Sequence, residues 1–140
     1  MIKIGLDNGI IVRSKNFEAQ KWLLRWGQEK NLEEIYGGIE LAYWRKCFNI
    51  RAKIMERIEA FKDGDHTPLT FADLATICDI CEKFITKKYN WDENRGSIWD
   101  WIHSVRNLAD VIITINDFID DIGDDGLDET DFEIYFYDSY

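Results

Sequence analysis

The sequence predicts an α+β fold: about four helices packed on a small antiparallel sheet made of an N-terminal β-hairpin plus a C-terminal strand. Three observations carry that expectation. β-Branched runs flank an Asn-Gly near the N-terminus, and an apolar/polar alternation closes the chain. Between them, long segments repeat apolar residues at steps of three and four, the helical spacing. A single Pro, 46% apolar residues and 14% aromatics fit helices around a real core rather than a disordered acidic chain. At 140 residues there is room for one domain, taken as 1–140.

The elements follow in order. Residues 2–6 and 10–14 read as strands joined by Asp7-Asn8-Gly9, because Asn and Gly accept the positive φ of a tight turn. Asn16 caps a helix from Phe17 to about Lys30, with Phe17, Trp22, Leu23 and Trp26 in its apolar sector. A longer helix is expected from about Leu32 to Phe61. Its ladder is Ile39, Tyr43, Cys47, Ile50, Ile54, Ile58 and Phe61, with Gly37-Gly38 as a break or kink and Asp63-Gly64-Asp65 as its end. His66 then lies in a loop before Thr67-Pro68. Thr70, with Asp73 three residues on, starts a third helix that reaches about Tyr89. After a loop from Asn90 to Gly96, Ser97 caps a fourth helix to about Ile122. Its expected buried stripe is Ile98, Trp101, Ile102, Val105, Leu108, Ala109, Ile112, Ile115, Ile119 and Ile122. Gly123 and Gly126 sit in an acidic loop. From Asp131 to Tyr137, Phe132, Ile134 and Phe136 alternate with Glu133, Tyr135 and Tyr137, the pattern of a strand added to the hairpin, which alone is marginal.

Charge is distributed unevenly. The net charge is −10, yet residues 1–62 carry 12 basic and 8 acidic groups while residues 63–140 carry 5 basic and 19 acidic ones. After Arg106 there is no Lys or Arg, and eleven acids fill the remaining 34 positions: Asp110, Asp117, Asp120, Asp121, Asp124, Asp125, Asp128, Glu129, Asp131, Glu133 and Asp138. Such a block makes a negative field that disfavours nucleic acid and anionic membranes and favours basic partners or cations. On the fourth helix Asp100, His103, Asn107, Asp110, Thr114, Asp117 and Asp121 recur at steps of three and four, which predicts one solvent-facing line. Neighbours along it are about 5–6 Å apart, comparable to phosphates along a strand. Local energetics do not favour the placement, since the helix dipole disfavours anions at a C-terminus by about 0.3–1 kcal/mol each. Lys3, Arg13, Lys15, Arg45, Lys46, Lys53 and Arg57 are the candidates for neutralising the block from within, and seven cations cannot cancel eleven acids.

Other chemistry finds little support. Cys47, Cys78 and Cys81 are odd in number, and the N-terminus has no apolar signal region, so free thiols in a cytoplasm are expected. No apolar run approaches the length of a membrane span. Cys78-Asp-Ile-Cys81 stands alone and falls on an apolar helix face with Leu74, Ile77 and Ile85, which reads as buried thiols. Aligned as a calcium loop with Gly126 at its sixth position, the acidic loop has Gly123 and Phe132 where two ligands are needed. Nucleophile-elbow, phosphate-loop and zincin motifs are absent. Arg106-Asn107 matches the start of the Arg-Asn…His motif of HEPN ribonucleases, but no His follows at the needed spacing. Glu56-Arg-Ile-Glu59 and Asp79-Ile-Cys-Glu82 pair carboxylates three residues apart on consecutive helices. This faintly resembles the metal site of all-α nucleotide pyrophosphatases of the MazG type, with the second pair in reversed order.

The leading functional expectation is a small acidic binding protein that blocks the basic nucleic-acid-binding groove of a target enzyme by charge mimicry. By analogy of charge it resembles the compact acidic anti-CRISPR and anti-restriction inhibitors of phages and mobile elements. No catalytic residue, cofactor or metal is expected, nor is direct contact with nucleic acid or membrane. The expected partner-binding residues are Asp110, Asp117, Asp120, Asp121, Asp124, Asp125, Asp128, Glu129 and Asp131, with Trp99, Tyr135 and Tyr137 as aromatic anchors. The alternatives are an immunity protein or antitoxin that neutralises a basic toxin, a metal-dependent nucleotide hydrolase built on Glu56, Glu59, Asp79 and Glu82, and a module whose acids only solubilise.

Overall fold

A five-stranded antiparallel sheet forms one layer, and four helices form the other. The structure is a computed structural model that describes residues 7–45, 48–61, 66–90 and 98–139, without the side chains of 7, 45, 48, 98–106 and 139. In chain order the elements are β1 (Asp7–Ser14), α1 (Phe17–Glu29), β2 (Glu34–Ile35), β3 (Gly38–Arg45), α2 (Phe48–Arg57), β4 (Thr67–Leu69), α3 (Phe71–Ile85), α4 (Ile98–Asp124) and β5 (Phe132–Ser139). The sheet order is β2-β3-β1-β5-β4, so the first and last strands pair at its centre.

β1 differs from its expected form. Asp7-Asn8-Gly9 is not a turn; it runs as strand between β3 and β5. Asn8 is 1% exposed, and its amide donates to the Asp138 carboxylate on β5. Gly9 serves a packing need, because a Cβ there would collide with the Tyr137 ring lying across the strand. The strand expected at 2–6 lies outside the described residues. The partner of β1 comes from later in the chain, in β3 and β5.

The long helix expected from Leu32 to Phe61 is instead a hairpin followed by a shorter helix. Tyr36 and Gly37 both have positive φ, 50° and 76°, and form the two-residue turn whose twist suits a hairpin between β2 and β3. Ile39, Leu41, Ala42 and Trp44 are buried along β3. The register against β1 slips between Ile10 and Ile11, a bulge that turns Leu41 and Ala42 inward together. Helical spacing reappears in α2, where Ile50 and Ile54, and Ile58 just past its end, are buried as the ladder predicts. Cys47 and the segment 62–65 lie outside the described residues. Thr67-Pro68-Leu69, for which no element is expected from the sequence, is an edge strand on β5, a position where a missing N–H is tolerated.

The caps behave as the residues dictate. The Asn16 side chain accepts from Ala19 N, and Thr70 and Asp73 form a reciprocal capping box on α3. α3 stops at Ile85, short of the expected Tyr89, and Lys87 has positive φ. α4 runs through Gly123 to Asp124. Leu127 N then bonds Ile122 O across Gly126 at φ 78°, a Schellman close.

Along α4 the buried stripe is Leu108, Val111, Ile115, Phe118 and Ile122, while Ala109 is exposed and Ile112 and Ile119 are half-buried. The helix is therefore rotated about its axis relative to the expected stripe. The cause is Phe118, whose ring meets Trp22, Trp26, Phe71 and Phe132 edge-on at centroid distances of 5.3–6.3 Å. An aromatic ring with four ring neighbours outweighs the flanking isoleucines in setting the rotation. One apolar cluster joins all four helices to the inner sheet face, with Ile10, Val12, Ile134 and Phe136 among its strand residues.

Candidate functional site: the acidic side of α4

At about 100° per residue, Asp110, Asp117, Asp120, Asp121 and Asp124 span roughly 100° of the helix circumference, nearly opposite the buried stripe. Within that arc they divide into two sets. Asp121 Oδ2 accepts the indole N–H of Trp26 at 2.8 Å, and Asp125 Oδ2, just past the helix, accepts that of Trp22 at 2.6 Å. Lys30 Nζ lies 3.3 Å from Asp117 and 3.8 Å from Asp121. Trp22–Asp125, Trp26–Asp121 and Lys30–Asp117 are thus three rungs of one antiparallel ladder. Each rung steps four residues forward on α1 and four back on α4. The two indoles stack, with centroids 5.7 Å apart and planes 12° apart.

Four of the seven positions on the expected solvent-facing line accordingly lie in a seam, while Asp110 is exposed. Asn107, Thr114, Asp117 and Asp121 are half-buried, and Asn107 donates to the Tyr43 carbonyl on β3 at 2.7 Å. The side chains of Asp100 and His103 lie outside the described residues. The apparent conflict between these acids and the helix dipole also has a local answer, since indole N–H groups and an ammonium meet them. Lys30 was not among the expected neutralising cations, nor was Arg51, whose Nε lies 3.1 Å from the buried Asp138. Arg13 pairs in register with Glu133, while its Nε donates to the Tyr36 carbonyl.

The loop acids are structural as well. Asp128 and Asp131 form a capping box on a short 3-10 turn, Glu129–Asp131. Hydrogen bonds from Thr130 hold the Asp128 carboxyl below its ordinary range. Asp131 accepts from the Asn16 side chain at 2.9 Å, and Glu129 accepts from Phe71 N at the start of α3, where the dipole favours an anion. By contrast Asp110, Asp120 and Asp124 are exposed and make no hydrogen bond or ion pair among the described residues. Ile113, 57% exposed, lies on the same side of the helix between Asp110 and Asp117.

Two of the aromatic anchors, Tyr135 and Tyr137, do not join this surface. Both sit on the sheet face away from the helices. Tyr137 is 2% exposed and its hydroxyl donates to Glu40 at 2.9 Å, so it is unavailable as an anchor. Burial and the Glu40 charge raise its pKa well above the ordinary tyrosine value. Tyr135 is half-buried under Arg13, whose guanidinium carbon lies 5.7 Å from the ring centroid. The Trp99 side chain lies outside the described residues.

Two of the four carboxylates named for the hydrolase alternative meet cations within the fold. Asp79 binds Arg57 at 2.7 Å and Lys83 at 3.1 Å, and those cations hold its carboxyl below the ordinary range. Glu56 pairs with Lys53 at 3.3 Å. Among the described residues no group of three or more His, Cys, Asp or Glu is placed to hold a metal ion. Cys81 is buried, and burial pushes the Cys78 thiol up to about 11. Among the described residues no helix is long and apolar enough to cross a membrane.

The ladder partners Trp22 and Trp26 entered the sequence reading only as core residues. Their i,i+4 step, mirrored by Asp121 and Asp125, is the signal that would have found the seam. Set against family models, curated proteins and solved structures, the chain matches none of them.

Proposed function

We propose that the protein is a small acidic binding protein that covers the basic, nucleic-acid-binding surface of a partner enzyme and blocks it by charge mimicry. The observation that carries this reading is the outward set on α4. Asp110, Asp120 and Asp124 are exposed without a partner among the described residues, on a chain with no Lys or Arg after Arg106. Asp120 and Asp124 lie in the last turns of the helix, where they oppose the dipole and gain nothing within the described fold. Opposite charge on a partner would supply what the fold does not and would speed encounter. Most of the remaining acids already accept a hydrogen bond or meet a cation within the described fold, so the reading places its weight on these three.

The test is capture from a lysate of the native host by the immobilised chain, followed by washing at rising salt. The expected result is a basic nucleic-acid enzyme that salt releases and whose nucleic-acid binding the chain inhibits competitively. The variant Asp110→Asn/Asp120→Asn/Asp124→Asn should keep its melting temperature and lose capture. Unchanged capture by that variant overturns the reading. A captured toxin in place of a nucleic-acid enzyme would move the protein to the immunity class.

A further inference from the structure

α1 and the end of α4 leave an open groove beside the ladder. One part, of about 470 Å³, is lined by Trp22 and Trp26 together with Arg25, Asp124 and Asp125. It continues into a hollow of about 400 Å³ that shares Trp22, Arg25 and Asp125 and ends at Phe17 and Leu127. The two ends differ in chemistry. At the α4 end Asp124 is unpartnered among the described residues, and Asp125 uses Oδ2 for the Trp22 indole. At the other end Phe17 is 76% exposed on a helix whose remaining large apolar residues are buried or half-buried. The Phe17 ring already faces a cation, with Lys21 Nζ 5.5 Å from its centroid.

Charge selects the occupant. The charged residues lining the two hollows are Glu18, Glu29, Asp121, Asp124 and Asp125 against Lys21 and Arg25, an excess of three negative charges. That excess repels phosphates. A bare metal ion fits poorly, because no three carboxylates among the described residues converge. A guanidinium fits better: it is planar, weakly hydrated, and able to bridge carboxylate oxygens while lying against aromatic groups.

We propose that this groove is the docking site for a short basic segment of the protein partner. One arginine of that segment sits against Asp124 and Asp125 beside the indoles, and one apolar side chain sits on Phe17 and Leu127. The proposal rests on the charge-docking reading above and adds the place and chemistry of the contact.

The test titrates the ¹⁵N-labelled chain with a short synthetic peptide alternating Arg and Leu, following the indole N–H resonances. Those of Trp22 and Trp26 should shift, while that of the fully buried Trp44 stays in place and reports an intact fold. A peptide alternating Glu and Leu should move none of them. Phe17→Ser/Asp124→Asn should weaken the Arg-Leu peptide by about tenfold or more, and Asp110→Asn/Asp120→Asn, which spares the groove, should leave its affinity nearly unchanged. The groove is overturned if the Trp22 and Trp26 signals do not respond, or if Phe17→Ser/Asp124→Asn binds as well as the parent. It is also overturned if both variants lose the peptide equally; charge would then act along the whole helix, and the charge-docking reading would survive. That broader reading fails separately, by host capture that persists after neutralisation of Asp110, Asp120 and Asp124.

Discussion

Asp121 and Asp125 each accept an indole N–H from α1, whereas Asp120 and Asp124, one position back in each pair, face solvent with no partner among the described residues. Successive helical residues point about 100° apart, so each Asp-Asp pair straddles the boundary between a seam and a free surface. The seam members fill a structural need, because a buried indole N–H left unpaired costs about 1–3 kcal/mol. The outward members fill none in the described fold. Local charge density is the same for both sets, so density alone does not mark a functional surface. The discriminating quantity is whether the fold supplies each carboxylate with a donor.

That contrast can be broken most directly at the seam. Asp121→Ala and Asp125→Ala should each destabilise by about 1–3 kcal/mol in urea unfolding, since each strands an indole donor. Asn at the same positions keeps an acceptor oxygen and should recover most of the loss. If the alanine variants unfold at the parent's midpoint, the ladder contributes nothing and the two sets are alike.

A smaller effect is expected at the Tyr137–Glu40 pair on the far sheet face, where another carboxylate is given a donor by the fold. Folding raises the Tyr137 pKa above its ordinary value of 10.0. Above that pH the unfolded chain releases the phenolic proton while the folded chain retains it, so unfolding gains ground as pH rises. The contribution is fully present below pH 10 and is lost above it. Tyr137→Phe should remove about 1 kcal/mol at neutral pH and flatten the decline in stability on the alkaline side, measured by unfolding at several pH values. A decline as steep as the parent's would assign it to other groups.

The smallest effect is expected on the outward set. Asp120→Asn/Asp124→Asn should leave stability unchanged or raise it by about 0.3–1 kcal/mol at low salt, because it relieves repulsion with the dipole and between neighbours. A clear loss of stability would mean that these carboxylates also serve the fold and would erase the contrast.

Much of this architecture was legible in local chemistry. Asn16 and Thr70 announce α1 and α3 because their side chains satisfy helix N–H groups wherever the helix goes. The alternation of Phe132, Ile134 and Phe136 announces β5 because one sheet face is buried. The hairpin of β2 and β3 escaped because the bulge spoils the strand's period. Inward residues at 39, 41, 42 and 44 match neither a step of two nor one of 3.6, while Ile39 and Tyr43 imitate a helical step although they point to opposite faces. Tyr36-Gly37 was the local clue, and the turn it makes depends on Tyr36 accepting positive φ, an uncommon conformation for a residue of that kind.

For the acidic block, the sequence by itself determined the amount of negative charge, its confinement to the chain after Arg106 and its attachment to an amphipathic helix. These follow from composition and spacing, which no tertiary contact alters. Only the tertiary structure decided which carboxylates are used within the fold and which remain available to a partner. That division depends on the rotation of α4, which Phe118 sets through contacts with α1, α3 and β5, and on the antiparallel register that brings Trp22, Trp26 and Lys30 opposite Asp125, Asp121 and Asp117. The partners across the ladder are 87 to 103 residues apart along the chain, beyond the reach of any local pattern.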